Sequence, residues 1–590
     1  MTAHLLLVTL GPVQDFIAQA RRTRDLWHGS HLLSELGRAA ARSLVDGGAT
    51  LIFPSLERND PQLAPCPAPL RPDGTPPHNI ANKLLAEVPA GVDPQHLSKK
   101  VRRDVGEYWR DQLAAPVKEE CSGLLISNVD SIWDEQIDSF LEFAASWLPL
   151  DEYSQTRSQL ERAIAGRKLL RDFDPWTRGR GNVPKSSLDG ARESVLLPSR
   201  QRRPDLARRY RIVETEQLDA VGLVKRAGGE PDQFVPVVNV ALASWLECAS
   251  KVATSELEAL KAACQGVGVS RVARPDLPCV QPFGFDGSVL LANRLRSVFE
   301  EQGLEGDPDS WGRRHVGPLF GTLAEPYPYV ACLVADGDHI GRAIDSFASA
   351  DEHRTFSQAL AGFAHTVRTI VEQQHRGALV YAGGDDLLAF VSLPEALACA
   401  DDLRRAFENA MATACGSLPV DDRPTLSVGL GIGHLMESMG DLLALGRQAE
   451  REAKLDRDAL AVVVDKRSGG RRSWRGHWRN EPVRQLNAAV EVLRERISSR
   501  KVYEIASMLR RLPRPEDAVG DGWERLLSLE VERSLSRVEG AGLKPKEVGL
   551  NLSLGAGYAE LRGHVDAWVE RLLIASSFVR ASIRTRCSQE

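Results

Sequence analysis

Two aspartates stand side by side at Asp385 and Asp386, directly after two glycines, Gly383 and Gly384, with an apolar run on each side of the four. Apolar strands flanking a short polar tip read as a β-hairpin. Glycines at such a tip tolerate positive φ and, having no side chain, let a nucleotide approach the backbone. Adjacent carboxylates are hard oxygen donors of the kind that hold Mg²⁺ or Mn²⁺, and phosphoryl transfer by the two-metal route needs them. A third acid, Asp336, ends the apolar run 329–335 and is followed by Gly337 and Asp338. If its strand lies beside the hairpin, Asp336, Asp385 and Asp386 form a catalytic, metal-binding set. One ion would then lower the pKa of an attacking ribose 3′-hydroxyl and the other would hold a triphosphate. Gly-Gly-Asp-Asp is also an ordinary turn composition. Asp336 and the order of the surrounding elements weigh against that blander reading.

Cations and small residues complete the candidate nucleotide site. Lys454 and Arg457 fall at the end of a helical pattern and are placed to meet β- and γ-phosphates. A cation at a helix C-terminus complementing the macrodipole is the competing account. Ser427, inside the strand pattern 425–433, is assigned to the nucleotide together with Gly337, Gly383 and Gly384, although a strand serine is more often structural. His339, close to Asp336, either touches substrate or opens a helix. Other chemistries lack their motifs: there is no GxxxxGK[ST], HExxH or GxSxG. None of the thirteen histidines is followed by aspartate, which argues against an HD-type metal-dependent phosphohydrolase site.

The elements that must position these residues follow a recognisable order. From 328 onward the pattern is strand, helix (353–374), two strands around the glycines, helix (394–413), strand (425–433), helix (439–455) and strand (459–465). That is the β-α-β-β-α-β order of ferredoxin-like palms with an extra αβ unit. Upstream, residues 5–10 read as a buried strand, 13–44 as one long helix, 50–53 as a second strand and 57–78 as a loop. Residues 130–170 read as an amphipathic helical segment on the spacing of Ile132, Ile137, Phe140, Leu141, Phe143 and Trp147. The stretch 171–215 is Arg-rich and broken, and 304–328 reads as a boundary. Residues 466–480 read as a basic linker, and 481 onward as helical.

Composition sets the frame. At 590 residues the chain exceeds what a single core supports. With 43% hydrophobic and 26% charged residues it has the make-up of a globular protein. No apolar run reaches membrane-helix length, and the apolar start lacks the flanks of a signal peptide. The nine cysteines form no CxxC pair, so neither a zinc site nor a disulfide framework is expected, and a reducing cytoplasm fits best. A net charge of −6 argues against gripping nucleic acid over the whole surface. Two local clusters, Arg21-Arg22-Thr23-Arg24 and Arg202-Arg203 with Arg208-Arg209, are suited to RNA phosphates or an acidic partner.

Taken together these segments resemble the large, polymerase-like subunit of type III CRISPR RNA-guided effector complexes, of the III-B (Cmr) kind. Gly11–Ile17 with Ala20–Ser30 is similar to that family's opening signature, and Pro184–Glu193 to its middle one. Val334–Asp338 and Gly383–Asp386 are similar to its two catalytic palm motifs. The resemblance implies an α+β chain with two ferredoxin-like palm domains, a helical insertion and a helical C-terminal domain. The boundaries expected are 1–129 for the first palm, 130–324 for the insertion, 325–470 for the catalytic palm and 471–590 for the C-terminal helices. It further implies ATP as substrate, other subunits with guide and target RNA as partners, no membrane, and target-triggered condensation of ATP into cyclic oligoadenylate or a related adenylate messenger. Two departures from the family pattern stand out: the opening signature stands at the start of the sequence with no His-Asp pair, so HD nuclease activity is expected to be absent, and the four-cysteine zinc spacing is missing. A catalytically silent scaffold and a free-standing cyclase are the alternatives.

Overall fold

A computed structural model describes residues 2–66, 80–169, 183–229, 234–467, 469–519, 522–537, 542–552, 555 and 557–583. Residues 67–78 of the loop expected at 57–78, and 171–182 of the Arg-rich stretch at 171–215, lie outside these residues. The first sheet contains β1 (His4–Gly11), β2 (Thr50–Phe53), β3 (Lys83–Val88) and β4 (Glu142–Pro149), in the order β2-β3-β1-β4. The second contains β5 (Tyr329–Asp338), β6 (Ala378–Ala382), β7 (Leu387–Val391), β8 (Thr425–His434), β9 (Ala459–Val464) and β10 (Arg472–His477), in the order β10-β9-β8-β5-β7-β6. The first four strands of each set are arranged alike: the first strand is central, flanked by the third and fourth, with the second outside the third. Both sheets are therefore ferredoxin-like, and the fold is α+β with two palms.

The leucine run of β1 reflects burial on both faces. Leu6, Val8 and Leu10 point into the large core shared with the helix Thr23–Asp46, while Leu5 and Leu7 pack against Tyr153, Leu160 and Ile164. Successive strand side chains alternate between faces, so a strand covered on both sides must be apolar throughout. The central strand β5 divides in the same way. Val330 and Cys332 join the core that holds the first palm and the helical middle of the chain, and Ala331, Leu333 and Ala335 join the core under the helices Ala350–Arg368 and Leu393–Ala414.

Three expectations are corrected. Residues 130–170 are not one helical segment but helix Asp130–Asp138, strand β4 and helix Tyr153–Leu169. Phe140, Phe143 and Trp147 imitate a helical period, but pairing along the full length of β1 overrides it, from His4↔Pro149 to Gly11↔Glu142. The first sheet consequently draws its fourth strand from beyond residue 129. The helix expected over 13–44 is broken into Gln14–Ala18 and Thr23–Asp46. Asp25 causes the break: its carboxylate accepts from the backbone N–H groups of Arg21 and Arg22 and so starts a new helix. The basic linker at 466–480 contains β10, which pairs antiparallel with β9 from Arg472↔Val464 to His477↔Ala459. The stretch 304–328 carries two short helices, Pro308–His315 and Gly317–Thr322. After residue 481 the helices Pro482–Glu495, Ser499–Leu509, Trp523–Ser536 and Tyr558–Ile583 follow.

Candidate active site

The acid at the end of β5 and the glycine turn meet because the chain has no side chain at two places. A Cβ on Gly337 would lie 2.9 Å from the Cβ of Asp385 and 2.8 Å from Ile340, so only glycine lets the turn close onto the end of β5. A Cβ on Gly383 would lie 2.5 Å from an Asp386 carboxylate oxygen, so glycine there lets that carboxylate fold back over the turn. The turn is closed by the Gly383 N–H donating to the Asp386 carbonyl at 2.8 Å. Gly384 sits at φ 110°, a conformation that side chains of L-residues rarely adopt. The register Ala335↔Leu387 sets Asp336 beside Asp386 on the neighbouring strand.

Crowding carboxylates at a half-buried strand end raises the proton affinity of Asp385 and Asp386. The Asp385 carboxyl is pushed up to about 7, first by burial and then by the charges of Asp386 and Asp336. Burial also raises Asp386, opposed by the Tyr381 hydroxyl, which donates to it at 2.9 Å. Lys454 answers this charge. Its ammonium lies 2.5 Å from the Asp336 carboxylate and 2.9 Å from that of Asp338, and it donates to the carbonyls of Asp336 and Gly337 at 3.0 and 2.9 Å. Burial alone would lower the pKa of Lys454, but the bonds to Asp336 and Asp338 outweigh it and hold the amine protonated.

Lys454 arrives there because its helix, Met439–Asp456, rests directly on the backbone of β8. Gly429 and Gly431 face it, and a Cβ on either would come within 2.2 Å of helix backbone nitrogens, those of Glu450 and Gly446. Glycines at alternate strand positions clear one face of the sheet for this approach. That pattern was visible in the sequence as Gly429, Gly431 and Gly433, and it is the signal that would have located the helix.

The remaining expected residues divide. Ser427 does not face a nucleotide: it is fully buried and donates to the Asp338 carboxylate at 2.8 Å. Asp338, itself buried, also accepts from Thr425 and from the backbone N–H of Asp458. It is therefore the anchor that ties β5 to β8 and to the end of the Lys454 helix, a role the sequence reading missed. Arg457 stands apart from the carboxylates. It is exposed, and its guanidinium contacts His339 at 3.1 Å, with Arg342 on the same ring at 2.5 Å. Burial and these two arginines lower the His339 pKa, so the cluster offers positive charge at neutral pH from the arginines alone. Tyr381 was likewise not singled out, although it stands two residues before Gly383.

The donor set suits a divalent cation chemically, being three carboxylates, hard oxygen donors, brought to one strand end. In the conformation seen, Asp336 is turned to Lys454 and Asp386 to Tyr381. Among the described residues no three His, Cys, Asp or Glu side chains converge as a ready-made metal cage.

A ferredoxin-like sheet with an Asp-Gly-Asp strand end facing a Gly-Gly-Asp-Asp turn defines a palm domain, and here it follows a second palm in the same chain. Comparison with known proteins narrows this. A family described as Cas10/Cmr2, second palm domain, matches residues 329–461, and one described as CRISPR-associated protein Cmr2, N-terminal, matches residues 5–114. The Cmr subunit Cmr2 of the CRISPR system of Pyrococcus furiosus is 24% identical over 550 residues, covering 79% of this chain, and the chain spans 62% of that relative's length. In fold, the chain is similar to a chain of type III-B Cmr-beta in its apo state, with a TM-score of 0.61, 13% identity, and coverage of 98% of this chain and 82% of that one. It is also similar to a chain of type III-B Cmr-beta bound to cognate target RNA, with a TM-score of 0.59, 14% identity, and coverage of 98% and 83%. Two separate stretches of the chain, one in each palm, thus match Cas10/Cmr2 family models.

Proposed function

We propose that the chain is the nucleotide-polymerising subunit of a type III-B CRISPR ribonucleoprotein, condensing ATP into cyclic oligoadenylate or a related adenylate messenger when the complex holds target RNA. The observation that carries this reading is the juxtaposition, through Gly337, of Asp336 with Asp385 and Asp386, beside a lysine reaching in from the neighbouring helix. Asp336, Asp385 and Asp386 would hold Mg²⁺ or Mn²⁺, and when bound these ions supply Lewis-acid charge to the triphosphate and the attacking hydroxyl. The chain's own groups do the rest. Gly383 and Gly384 leave the turn open to the nucleotide. Tyr381 orients Asp386. Lys454, released from Asp336, offers its ammonium to phosphate oxygens, and the exposed Arg457 stands ready for the far end of the triphosphate. The type III-B likeness and the family's name support assembly with other subunits, guide RNA and target RNA.

The test is the double variant Asp385→Ala with Asp386→Ala. Both residues lie half-buried at a turn outside the hydrophobic cores, so their removal is expected to abolish product formation from labelled ATP, with either Mg²⁺ or Mn²⁺ and target RNA present, while assembly with partner subunits persists. Product at the wild-type rate would overturn the catalytic assignment and favour a scaffold. Equal ATP turnover by the isolated chain, the guide complex and the target-bound complex would instead indicate a free-standing enzyme.

A further inference from the structure

The Arg21–Arg24 cluster is not part of the carboxylate site. It opens the helix Thr23–Asp46 and faces a cavity of about 170 Å³ between that helix, the helical middle and the start of the Lys454 helix. Six arginines line this cavity, Arg21, Arg22, Arg24, Arg211, Arg271 and Arg294, against two acids, Asp286 and Glu437. Both acids have other partners: Asp286 pairs with Arg211 at 2.8 Å and Glu437 with Arg467 at 3.6 Å. Arg22 is taken by Glu301 at 3.0 Å.

Arg24 is the exception. Its side chain is 5% exposed, yet its Nε and one terminal nitrogen have no hydrogen-bond partner among the described residues. The adjacent carboxylate, Asp25, is consumed by Arg226 through contacts of 2.5 and 2.8 Å and by the backbone of Arg21 and Arg22. What remains for the Arg24 guanidinium is the faces of Phe234 and Tyr210, at 5.2 and 5.5 Å. Arg294, half-buried across the cavity, has its Nε buried and unpartnered among the described residues as well. A buried guanidinium without an acceptor is costly and native proteins rarely keep one, so an acceptor from outside the chain is expected. Burial first, and then the neighbouring Arg226, lower the Arg24 pKa to about 10.

We propose that this cavity binds a phosphate group, gripped by Arg24 and Arg294 at the start of the helix Thr23–Asp46. Planar guanidinium forks match phosphate oxygens, and the positive end of a long helix adds to them. Phe234, Val237, Leu435 and Met439 wall the cavity and keep water from screening the pair. The volume suits a phosphate and part of its carrier better than a whole nucleoside triphosphate. The cavity is also remote from the carboxylates. Leu442, which lines it, precedes Lys454 by about 18 Å along their shared helix. The proposal therefore stands whether or not the carboxylate site polymerises nucleotides.

Binding to the full chain is measured by calorimetry and by the shift of the thermal unfolding midpoint, with three probes: inorganic phosphate, a short single-stranded RNA bearing a 5′-phosphate, and the same RNA with a 5′-hydroxyl. Saturable phosphate binding is expected, weakened at least tenfold by Arg24→Gln and by Arg294→Ala. Arg294 lies outside the Asp25–Arg226 network, so its variant reports even if Arg24→Gln fails to fold. Stronger binding of the 5′-phosphorylated RNA than of the other two probes assigns the ligand to an RNA end, and equal, stronger binding of both RNAs to its backbone. RNA no better than phosphate assigns it to a small phosphorylated molecule. Binding that is absent, or equal in wild type and both variants, overturns the proposal and leaves the cavity to an acidic side chain of a partner.

Discussion

Ser427 shows how a residue of the right type near the right place can serve a different purpose. It follows the strand alternation that puts Val428 and Leu430 into the core of the second palm, and its hydroxyl finds the carboxylate of Asp338. A buried hydrogen bond to a charged acceptor contributes about 1.5–3 kcal/mol. Asp338 keeps three further donors in Thr425, Lys454 and the Asp458 backbone. Ser427→Ala is therefore expected to lower stability by about 1–2 kcal/mol and to leave the KM for ATP unchanged. Denaturant unfolding together with nucleotide titration checks this. A raised KM with unchanged stability would return Ser427 to the nucleotide. By contrast, the meeting of Asp336 with Asp385 and Asp386 was legible because a strand end and a tight glycine turn on the neighbouring strand leave their mark on the sequence. The ion pair of Lys454 with Asp336 was not, because it depends on where a helix comes to rest.

That resting place is decided at the scale of the element. The helix Met439–Asp456 lies on Gly429 and Gly431 of β8 with backbone against backbone, and its own Gly446 faces Cys332, whose sulfur would be 2.6 Å from an added Cβ. A larger residue at 431 has nowhere to go, since what it would meet is the backbone of the helix and not a side chain able to turn away. Gly431→Ala is expected to lift the helix, cost about 1–3 kcal/mol as overpacking does, and withdraw Lys454 from Asp336, so that thermal stability and nucleotide turnover fall together. Gly440→Ala, in the first turn of the same helix and with only the Ser438 hydroxyl near at 3.7 Å, is the control expected to change neither. Elements with one dominant constraint were readable in this way, as with β5, β6 and β7. Where two periodicities competed, the reading failed. Phe143 and Trp147 keep a helical spacing, yet they alternate with Ala144 and Leu148 across β4, because an unpaired edge of β1 was available to bind them. Likewise the arginines of 471–475 read as a linker, although Trp474 and its neighbours satisfy the free edge of β9.

At the scale of the whole molecule, the two palms are joined by a polar seam in which the first palm and its following helix meet the helices beside β5. Arg157 bonds to Asp345, the Ser55 N–H donates to Ser357 at 2.9 Å, and Arg354 reaches the Leu51 carbonyl at 3.3 Å and Glu87 at 3.6 Å. At its centre His353 is 4% exposed, with its Nδ1 2.7 Å from the Tyr153 hydroxyl and the ring of Phe53 stacked at 6.1 Å. Burial, then the charges of Arg157 and Lys83, depress its pKa from 6.5 to about 4. The unfolded chain therefore takes up this proton before the folded one does. The stability associated with the neutral imidazole is complete above pH 6.5, begins to fall as the pH drops below that value, and is fully lost below about 4. Each unit of pKa difference corresponds to about 1.4 kcal/mol, which sets an upper bound of about 3 kcal/mol for the whole titration. Replacing His353 with Gln removes the titration while keeping a group able to bond Tyr153. Between pH 7 and 5 the wild-type chain is expected to lose stability more steeply than His353→Gln, by about 1–2 kcal/mol over that interval, in denaturant melts at matched ionic strength. Parallel pH profiles for the two proteins would show that the seam tolerates a charged histidine. A difference that opens below pH 6.5 and stops growing near pH 4 would show that the contact between the palms weakens with acid at this residue.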